Sequence, residues 1–523
     1  MKSPPSGLSR LCSRRYNAIV RLRRLCQPET FLIIIALVAR LVPGPRTIDD
    51  AYITFRYAQN LLSGNGLVYN PGEAVLGTTT PVYALLMAGL GLFTGGSQAP
   101  FPYLALLVNA LADGLTCWLL IRMAEALGYR RAGIVTALVW AIAPWSVTFA
   151  IGGMETSLLI LLGTATFYFY SIDKPVAAAL CGSLSLLTRP DALLFLLPLA
   201  VERLRRAIGS TKFNPHPLPI STKEVVVFAI PVLLWFVYGT VVYGNPIPHS
   251  ILAKISAYHL PEEAGLIRLL QHYSTPFLGH LVFGTWWIGV GLVLFPVLFG
   301  LGALKLLRQK LSAWPLLAYP WIYLLVFALA NPLIFRWYLV PPLPLFFLGI
   351  FLGGERLASD LRSKLPTYIL ATAAVVLTLN GWTSRPDHGL LRPAPKMAYI
   401  KLELLYQQAA IELRNQIHPD QVLAAGDIGA LGYYTQARIL DTLGLISPQV
   451  DKYYPLPESM YEINYAIPSN LISDFQPDFL VILEIYGRKT LLEDANFKAR
   501  YEQITLIPTD IYGSEGMLIF RRR

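Results

Sequence analysis

The chain has 523 residues, of which 54% are hydrophobic and only 14% are charged. Soluble domains carry about 25% charged residues, so this chain has too little polar surface to cover a soluble globule of its length. Its formal net charge of +11 comes from Lys and Arg that lie between hydrophobic runs. That distribution is typical of cytoplasmic loops in membrane proteins. We therefore expect membrane lipids, and no nucleic acid, as partners.

The N-terminal segment, residues 1–27, is rich in arginine and precedes the first apolar run. No small-x-small cleavage site follows that run, which ends in Pro43-Gly44-Pro45-Arg46. This pattern differs from that of a cleaved signal peptide. We predict a basic cytoplasmic tail followed by an uncleaved first helix.

Hydrophobic segments recur between residues 28 and 382 and predict a mainly α-helical, polytopic transmembrane domain of roughly 11 spans. They fall at residues 28–46, 80–97, 101–121, 132–150, 155–172, 175–188, 190–202, 223–243, 281–304, 313–331, 337–353 and 366–382. Several are shorter than the roughly 20 residues that a span requires. If the Lys/Arg-rich loops are cytoplasmic, only one of segments 80–97 and 101–121 crosses fully.

The composition changes after this domain. Residues 383–398 contain Ser384-Arg385-Pro386-Asp387 and Arg392-Pro393-Ala394-Pro395, which are typical of a linker. Residues 399–523 predict a small α/β domain outside the cytoplasm. Helical spacing covers 397–416, and apolar runs predict strands at 422–425, 479–483 and 516–520.

Two adjacent acids, Asp49 and Asp50, open the first predicted outer loop, residues 47–79. The stretch after them has one apolar helical face, formed by Ala51, Phe55, Ala58 and Leu62. It ends at Gly64-Asn65-Gly66 and predicts a helix lying in the membrane interface. An acid at a membrane boundary is by default a functional candidate. The alternative is that Asp49 caps the N-terminus of this helix, which leaves the second acid unexplained.

Further charged and polar residues fall at the predicted outer ends of helices. Arg189 and Asp191 flank a proline. They form either an ion pair with each other or a site in which the arginine faces a lipid phosphate. The remaining candidates are Lys254, His249 and Arg336 as cations, and Glu73, Glu155 and Asn245 as positioning groups. A helix-start role for Glu155 and an interfacial anchor role for Arg336 are the alternatives.

Motifs of several soluble enzyme classes are missing from the sequence. It contains no P-loop, no HExxH, no GxSxG and no GxGxxG in strand context. The four cysteines form no cluster of zinc spacing, and no EF-hand or carboxylate cluster is present. We therefore predict no metal site and no certain cofactor, and a divalent-metal requirement stays open.

The order of several motifs resembles that of the large integral-membrane GT-C glycosyltransferases. The resemblance is closest to the mycobacterial terminal arabinofuranosyltransferase branch and its uncharacterised bacterial relatives. It begins with Ile48-Asp49-Asp50-Ala51-Tyr52-Ile53 and runs through Asn70-Pro71-Gly72-Glu73. The later landmarks are Gly152-Gly153-Met154-Glu155-Thr156, Leu187-Thr188-Arg189-Pro190-Asp191, Tyr243-Gly244-Asn245-Pro246-Ile247-Pro248, Gly426-Asp427-Ile428-Gly429-Ala430-Leu431-Gly432-Tyr433 and Asp441-Thr442-Leu443-Gly444-Leu445.

The resemblance implies an inverting transfer of arabinofuranose or a hexose from a polyprenyl-phosphate donor. The acceptor is an envelope glycan, lipid or protein on the outer face of the cell membrane. An outer-loop aspartate, Asp49 or Asp50, would be the general base, with a slight preference for Asp50. The four cations at residues 189, 249, 254 and 336 are then expected to bind the donor phosphate. Glu73, Glu155, Asp191 and Asn245 would position the acceptor.

Two other classes of protein remain as alternatives. A transporter or flippase of lipid-linked sugars needs polar residues along the interior of the bundle, whereas the conspicuous acids here lie at outer helix ends. A non-catalytic membrane assembly subunit predicts that these acids are dispensable and that no lipid phosphate binds.

Overall fold

A computed structural model describes residues 27–208, 218–383, 394–395, 401–418 and 420–523. Apart from residue 27, the predicted basic tail lies outside these ranges, and so does most of the predicted linker. The described helices α1–α21 are Pro28–Leu41, Asp49–Leu62, Pro81–Gly91, Phe101–Ala126, Arg130–Ile142, Pro144–Ile151, Thr156–Ser171, Pro175–Thr188, Leu193–Ala207, Thr222–Tyr243, His249–Ala257, Ala264–Ser274, His280–Phe283, Trp286–Gln309, Trp314–Ala330, Leu343–Asp360, Leu365–Leu379, Lys401–Arg414, Gly429–Thr435, Ser469–Phe475 and Ala495–Arg500. The predicted mainly helical class is confirmed.

Five helical segments are long and apolar enough to cross a membrane within the described ranges. They are Phe101–Ala126, Thr222–Tyr243, Trp286–Gln309, Leu311–Ala330 and Arg336–Asp360. Helices α5 and α6 form a sixth candidate if this pair, bent by 49°, is one span, and four shorter apolar helices of 10–17 residues accompany them. The number of roughly 11 spans stays a prediction.

Helices α3 and α4 fall in the two segments, 80–97 and 101–121, of which only one is predicted to cross fully. Helix α3 has 11 residues, which at 1.5 Å per residue gives a length of about 16 Å, half of a ~30 Å hydrocarbon core. Helix α4 has 26 residues and is long enough to cross. Of the two predicted segments, 80–97 is therefore the one that falls short.

Small residues allow a close crossing between helices α14 and α16. A side chain at Gly353 would overlap the carbonyl group of Leu298, and one at Gly302 would overlap the carbonyl oxygen of Gly349. Glycines at such positions let two membrane helices approach backbone to backbone.

Replacing Gly353 by leucine is expected to destabilise the protein by about 1–3 kcal/mol or more, because the added side chain forces the two helices apart. Gly300→Leu is the matched control, since a Cβ at that position meets nothing within 4 Å. Thermal unfolding followed by size-exclusion chromatography compares the two variants. Equal melting temperatures would contradict this packing argument.

The C-terminal domain contains a five-stranded sheet. Strands β1 (Trp382–Thr383) and β2 (Ala394–Pro395) form a separate short ribbon. The sheet consists of β3 (Val422–Ala425), β4 (Arg438–Asp441), β5 (Phe479–Leu483), β6 (Tyr501–Pro508) and β7 (Gly516–Arg522), in the order β4-β3-β5-β7-β6. The pairs β3–β4 and β3–β5 are parallel, whereas β5–β7 and β6–β7 are antiparallel.

The C-terminal domain rests on the loop formed by residues 47–79, the predicted first outer loop. Helix α19 packs against both α18 and α2. The sequence predicts a helix in the membrane interface at α2, but its polar side is buried as well as its apolar side, including Arg56, Gln59 and Asn60. The polar side is covered by the C-terminal domain, because Arg56 donates hydrogen bonds to Gly432 at 2.8 Å and to Gln436 at 2.5 Å.

Candidate active site

The two adjacent acids have different environments. Helix α2 begins at Asp49, and its N-cap residue, Ile48, makes no side-chain cap. Asp49 is only 8% exposed. Its two carboxylate oxygens accept hydrogen bonds from the backbone N–H groups of Gly429 at 2.8 Å and Ala430 at 2.7 Å. Asp49 therefore caps α19 of the C-terminal domain and does not cap its own helix, which corrects the alternative raised from the sequence.

The contact between Asp49 and α19 depends on glycine at the start of that helix. A Cβ at Gly429 would overlap the backbone carbonyl of Asp49 and lie 2.8 Å from its carboxylate. Burial and the nearby Asp427 carboxylate raise the pKa of Asp49, while the N–H donors of Ala430 and Gly429 oppose this rise. Tyr69 extends the contact by donating a hydrogen bond to the Ile428 carbonyl at 2.6 Å.

Asp50 is the accessible acid of the pair. Its side chain is 31% exposed, and the Lys254 ammonium group lies 3.8 Å from its carboxylate. Within the described ranges, no hydrogen bond to the Asp50 side chain is present. Lys254 lies on α11, and its ammonium group is 4.9 Å from the centre of the Phe335 ring. This pair presents a carboxylate and a cation side by side, in contact with solvent.

Arg189 forms the centre of a second, buried charge group. Its guanidinium group donates to both carboxylate oxygens of Asp191, at 3.0 and 3.1 Å, and to Glu155 at 3.0 Å. Tyr323 donates to Asp191 at 3.2 Å. The Arg189–Asp191 pair raised as an alternative from the sequence is therefore present, and Glu155 is a second partner.

Tyr338 lies between the two charge groups. Its ring centre is 4.8 Å from the Arg189 guanidinium carbon, and its hydroxyl group is a neighbour of the Lys254 ammonium group. The structure thus brings five of the predicted residues into one region. These residues, which we call the outer charge cluster after the predicted outer face of the membrane, are Asp50, Glu155, Arg189, Asp191 and Lys254.

The other predicted residues lie elsewhere. Glu73 pairs with Arg438 of the C-terminal domain at 2.5 Å. His249 lies 3.2 Å from Asp451 of the same domain. Both are contacts between the domains, like that of Asp49.

Two more predicted residues have local or peripheral positions. The side-chain oxygen of Asn245 accepts the N–H of Ile247 at 2.9 Å and so stabilises its own turn. Arg336 is exposed, and its charge acts on Tyr512 of the C-terminal domain and on Arg268. Arg336 therefore lies at the rim of the region and not within the cluster.

Asp427 is a candidate that was missed among the predicted site residues. It is half-buried and accepts a hydrogen bond from the Tyr406 hydroxyl at 2.6 Å. Burial, followed by the charge of Asp50, raises its pKa, while Tyr406 and Lys254 oppose the rise. The available signal was its position, two residues after a predicted buried strand. What the sequence did not reveal is that this strand ends beside Asp50.

Metal ligands are not grouped in the described part of the chain. None of its His, Cys, Asp and Glu side chains form a set of three or more that could hold a metal ion.

Comparison with solved structures identifies the architecture. ArnT from Cupriavidus metallidurans, in the apo state, aligns with a TM-score of 0.55 and 13% identity over 97% of this chain and 98% of that chain. The archaeal oligosaccharyltransferase AglB from Archaeoglobus fulgidus, in complex with an inhibitory peptide and a dolichol-phosphate, aligns with a TM-score of 0.54 and 12% identity over 88% of this chain and 70% of that chain. The chain has the GT-C fold. It is a multi-pass membrane protein.

Sequence comparison adds two matches to this GT-C chain. The terminal β-(1→2)-arabinofuranosyltransferase of Mycobacterium tuberculosis is 31% identical over 158 residues. The match covers 29% of this chain and 24% of that protein, so it spans about a quarter of the curated relative. Residues 398–520 match a domain of unknown function, DUF8728. The resemblance to GT-C proteins and to their arabinofuranosyltransferase branch, predicted from motif order, is confirmed.

Proposed function

We propose that the protein is an inverting glycosyltransferase that moves a sugar from a polyprenyl-phosphate donor to an acceptor hydroxyl. The observation that carries this proposal is the pairing of an accessible Asp50 carboxylate with the Lys254 ammonium group 3.8 Å away. One acts as a base, and the other neutralises a phosphate. The Asp49 carboxylate is occupied by two backbone N–H groups, so Asp50 is the base that we assign.

The proposed reaction needs one proton transfer and one leaving group. The acceptor hydroxyl oxygen attacks the anomeric carbon, while the bond from that carbon to the phosphate oxygen breaks. The hydroxyl proton passes to Asp50. General-base catalysis of this kind raises the reaction rate by a factor of about 10²–10⁴. The polyprenyl phosphate leaves with the bonding electrons, and Lys254 stabilises its growing negative charge.

Arg189 contributes to this site in a different way. Two carboxylates already neutralise its charge, which leaves Lys254 as the main cation for the donor phosphate. Because its planar fork holds Asp191 by two hydrogen bonds and Glu155 by a third, Arg189 fixes both acids beside the reaction centre. We assign Glu155 and Asp191 to binding sugar hydroxyls from that position.

The similar proteins support a lipid-linked donor. One is named as an arabinofuranosyltransferase, and another was solved with a dolichol-phosphate. For this chain we propose a polyprenyl-phosphate-linked arabinofuranose or hexose as the donor. The acceptor that we propose is an envelope glycan, lipid or protein. The Lys/Arg-rich loops favour a cytoplasmic N-terminus, which places the outer charge cluster and the C-terminal domain on the outer face.

Replacing Lys254 by methionine is expected to weaken donor binding and to lower kcat, together by about 10²-fold in kcat/KM. The reason is that a phosphate loses its charged partner in both the ground state and the transition state. Lys452→Met is the matched control, since Lys452 is an exposed lysine of the C-terminal domain. Steady-state kinetics with a labelled donor measures both variants. Unchanged kcat/KM in Lys254→Met would contradict the assignment.

The proposed function is tested with purified protein in nanodiscs. A panel of radiolabelled polyprenyl-phosphate sugars is incubated with an envelope glycan extract, and transfer is compared between wild type and Asp50→Asn. Transfer by wild type alone supports the enzyme and identifies its donor. Movement of the donor between leaflets without transfer would favour a flippase. Neither transfer nor binding of any donor would favour an assembly subunit.

A further inference from the structure

The order of the strands creates a topological switch point in the C-terminal domain. Strand β3 lies between β4 and β5 and runs parallel to both. The chain leaves β3 to form β4 on one side and later crosses to form β5 on the other side. In open parallel sheets, the connections of two neighbouring strands then run in opposite directions and leave a crevice at the carboxyl ends of those strands, here β3 and β5. Ligands bind in crevices of this kind.

A carboxylate and a tyrosine lie at this crevice. Asp427 follows β3 by two residues, and Tyr486 follows β5 by three. The Tyr406 hydroxyl fixes one oxygen of Asp427 at 2.6 Å. Gly429, two residues after Asp427, donates its N–H to Asp49, the neighbour of Asp50, at 2.8 Å, and the charges of Asp50 and Lys254 act on the Asp427 carboxyl group. The carboxyl ends of β3 and β5 therefore lie beside the outer charge cluster.

Tyrosine rings line the same end of the sheet as Asp427. A side chain at Gly426, the residue before Asp427, would lie 2.9 Å from the Tyr465 ring. The Ser514 hydroxyl accepts the Ile485 N–H at 3.3 Å, which holds the turn that contains Tyr512 next to Tyr486. Burial first, and the Asp427 charge second, raise the pKa values of Tyr258, Tyr486 and Tyr512, in agreement with this arrangement. Tyr258 and Tyr486 are half-buried, and Tyr512 is 62% exposed. Tyr465 joins them from beneath, with ring centres 6.1 Å from Tyr258 and 5.2 Å from Tyr486. The cleft thus combines accessible aromatic surface with a fixed acceptor of hydrogen bonds.

We propose that this cleft, formed by Asp427, Tyr258, Tyr486 and Tyr512, is the acceptor-sugar subsite of the enzyme. A sugar ring has one polar edge of hydroxyls and apolar C–H faces. The carboxylate receives the hydroxyls, and the rings cover the faces. The C-terminal domain then holds the end of the acceptor glycan so that one hydroxyl reaches Asp50. The role of this subsite in the reaction rests on the proposed transferase function, whereas the binding of a sugar in the cleft does not.

The charges around the cleft select the chemical class of the acceptor. Asp50, Asp427 and Glu403 are acids of this region, where the Asp50 charge acts on Asp427 and the Asp427 charge acts on Glu403. Lys254 is a cation of the group that the donor phosphate uses, and Arg336 is a second cation, at the rim beside Tyr512. A neutral glycan end with neighbouring hydroxyls therefore fits, whereas a uronic-acid or sulfated end is repelled.

A kinetic experiment separates acceptor binding from chemistry. Asp427→Asn is expected to raise the acceptor KM about tenfold to a hundredfold, since hydrogen bonds to a charged group are lost. The donor KM should change much less than the acceptor KM. Tyr512→Ala should raise the acceptor KM as well, and its exposed position makes a folding defect unexpected. Asp420→Asn is the matched control, because Asp420 is exposed at the opposite end of the same strand.

A binding experiment keeps the proposal independent of turnover. Full-length protein in nanodiscs is titrated calorimetrically with neutral oligosaccharides that end in arabinofuranosyl or hexopyranosyl units, and with a uronic-acid oligosaccharide. Binding of a neutral probe that is lost in Asp427→Asn and in Tyr512→Ala supports the subsite, even if no donor is used and the proposed transferase function fails. Equal binding by wild type and both variants, an unchanged acceptor KM, or no binding of any neutral probe would overturn it.

Discussion

Replacing Asp50 by asparagine is expected to lower the transfer rate by two to four orders of magnitude without changing the folded structure. The amide keeps the shape of the side chain but cannot take a proton from the acceptor, so the contribution of the general base is lost. Folding should be preserved because the Asp50 side chain is 31% exposed and its charged partner, Lys254, lies at 3.8 Å. A partly exposed ion pair of this kind adds little stability.

The measurement is single-turnover transfer from a labelled donor, with thermal unfolding recorded on the same samples. Asp50→Glu should retain more activity than Asp50→Asn, since it keeps a carboxylate but displaces it. Glu458→Gln is a control, because Glu458 is an acid of the C-terminal domain that is 86% exposed. If Asp50→Asn transfers sugar at the wild-type rate, the assigned base is wrong.

Replacing Asp49 by alanine is expected to act on stability first and on transfer second. The change leaves the N–H groups of Gly429 and Ala430 without their partner at a buried helix end. Each such group costs about 1–3 kcal/mol when it is left unsatisfied. The C-terminal domain should therefore open more readily, and transfer should fall because Asp427 moves away from Asp50. Asn is expected to lie between Asp and Ala, since its one oxygen replaces part of the cap.

Limited proteolysis in detergent measures this opening, because an undocked domain exposes new cleavage sites. Asp49→Ala should be cleaved faster than wild type, and Asp50→Asn should be cleaved at the wild-type rate. A variant of Asp49 that resists proteolysis like wild type and yet has no activity would show that the two acids have been assigned in the wrong order.

The sequence predicted the elements of the fold more completely than their contacts. Hydropathy identified the helical bundle, and short apolar runs predicted the strands at 422–425 and 479–483 with the bounds of β3 and β5. These patterns are local and can be seen in a few consecutive residues. The distinction between Asp49 and Asp50 is not local, since it depends on two N–H groups that lie 380 and 381 residues further along the chain.

The same limit explains the candidates that lie apart from the cluster. Glu73 and His249 are charged or titratable residues at a predicted outer boundary, as functional residues often are. Their partners, Arg438 and Asp451, belong to the C-terminal domain. Nothing in the spacing of the first loop indicates that a folded domain covers it, so a residue that joins two domains looks like a residue that meets a substrate.

The docking of the C-terminal domain determines which segments can be exchanged between related proteins. The domain is held through Asp49, Arg56, Tyr69, Asn70 and Glu73, all within the loop 47–79. A chimera that receives a foreign C-terminal domain alone loses these partners, whereas one that also receives the matching loop keeps them. Two segments far apart in the sequence therefore behave as one transplantable module, and acceptor preference should travel with both together.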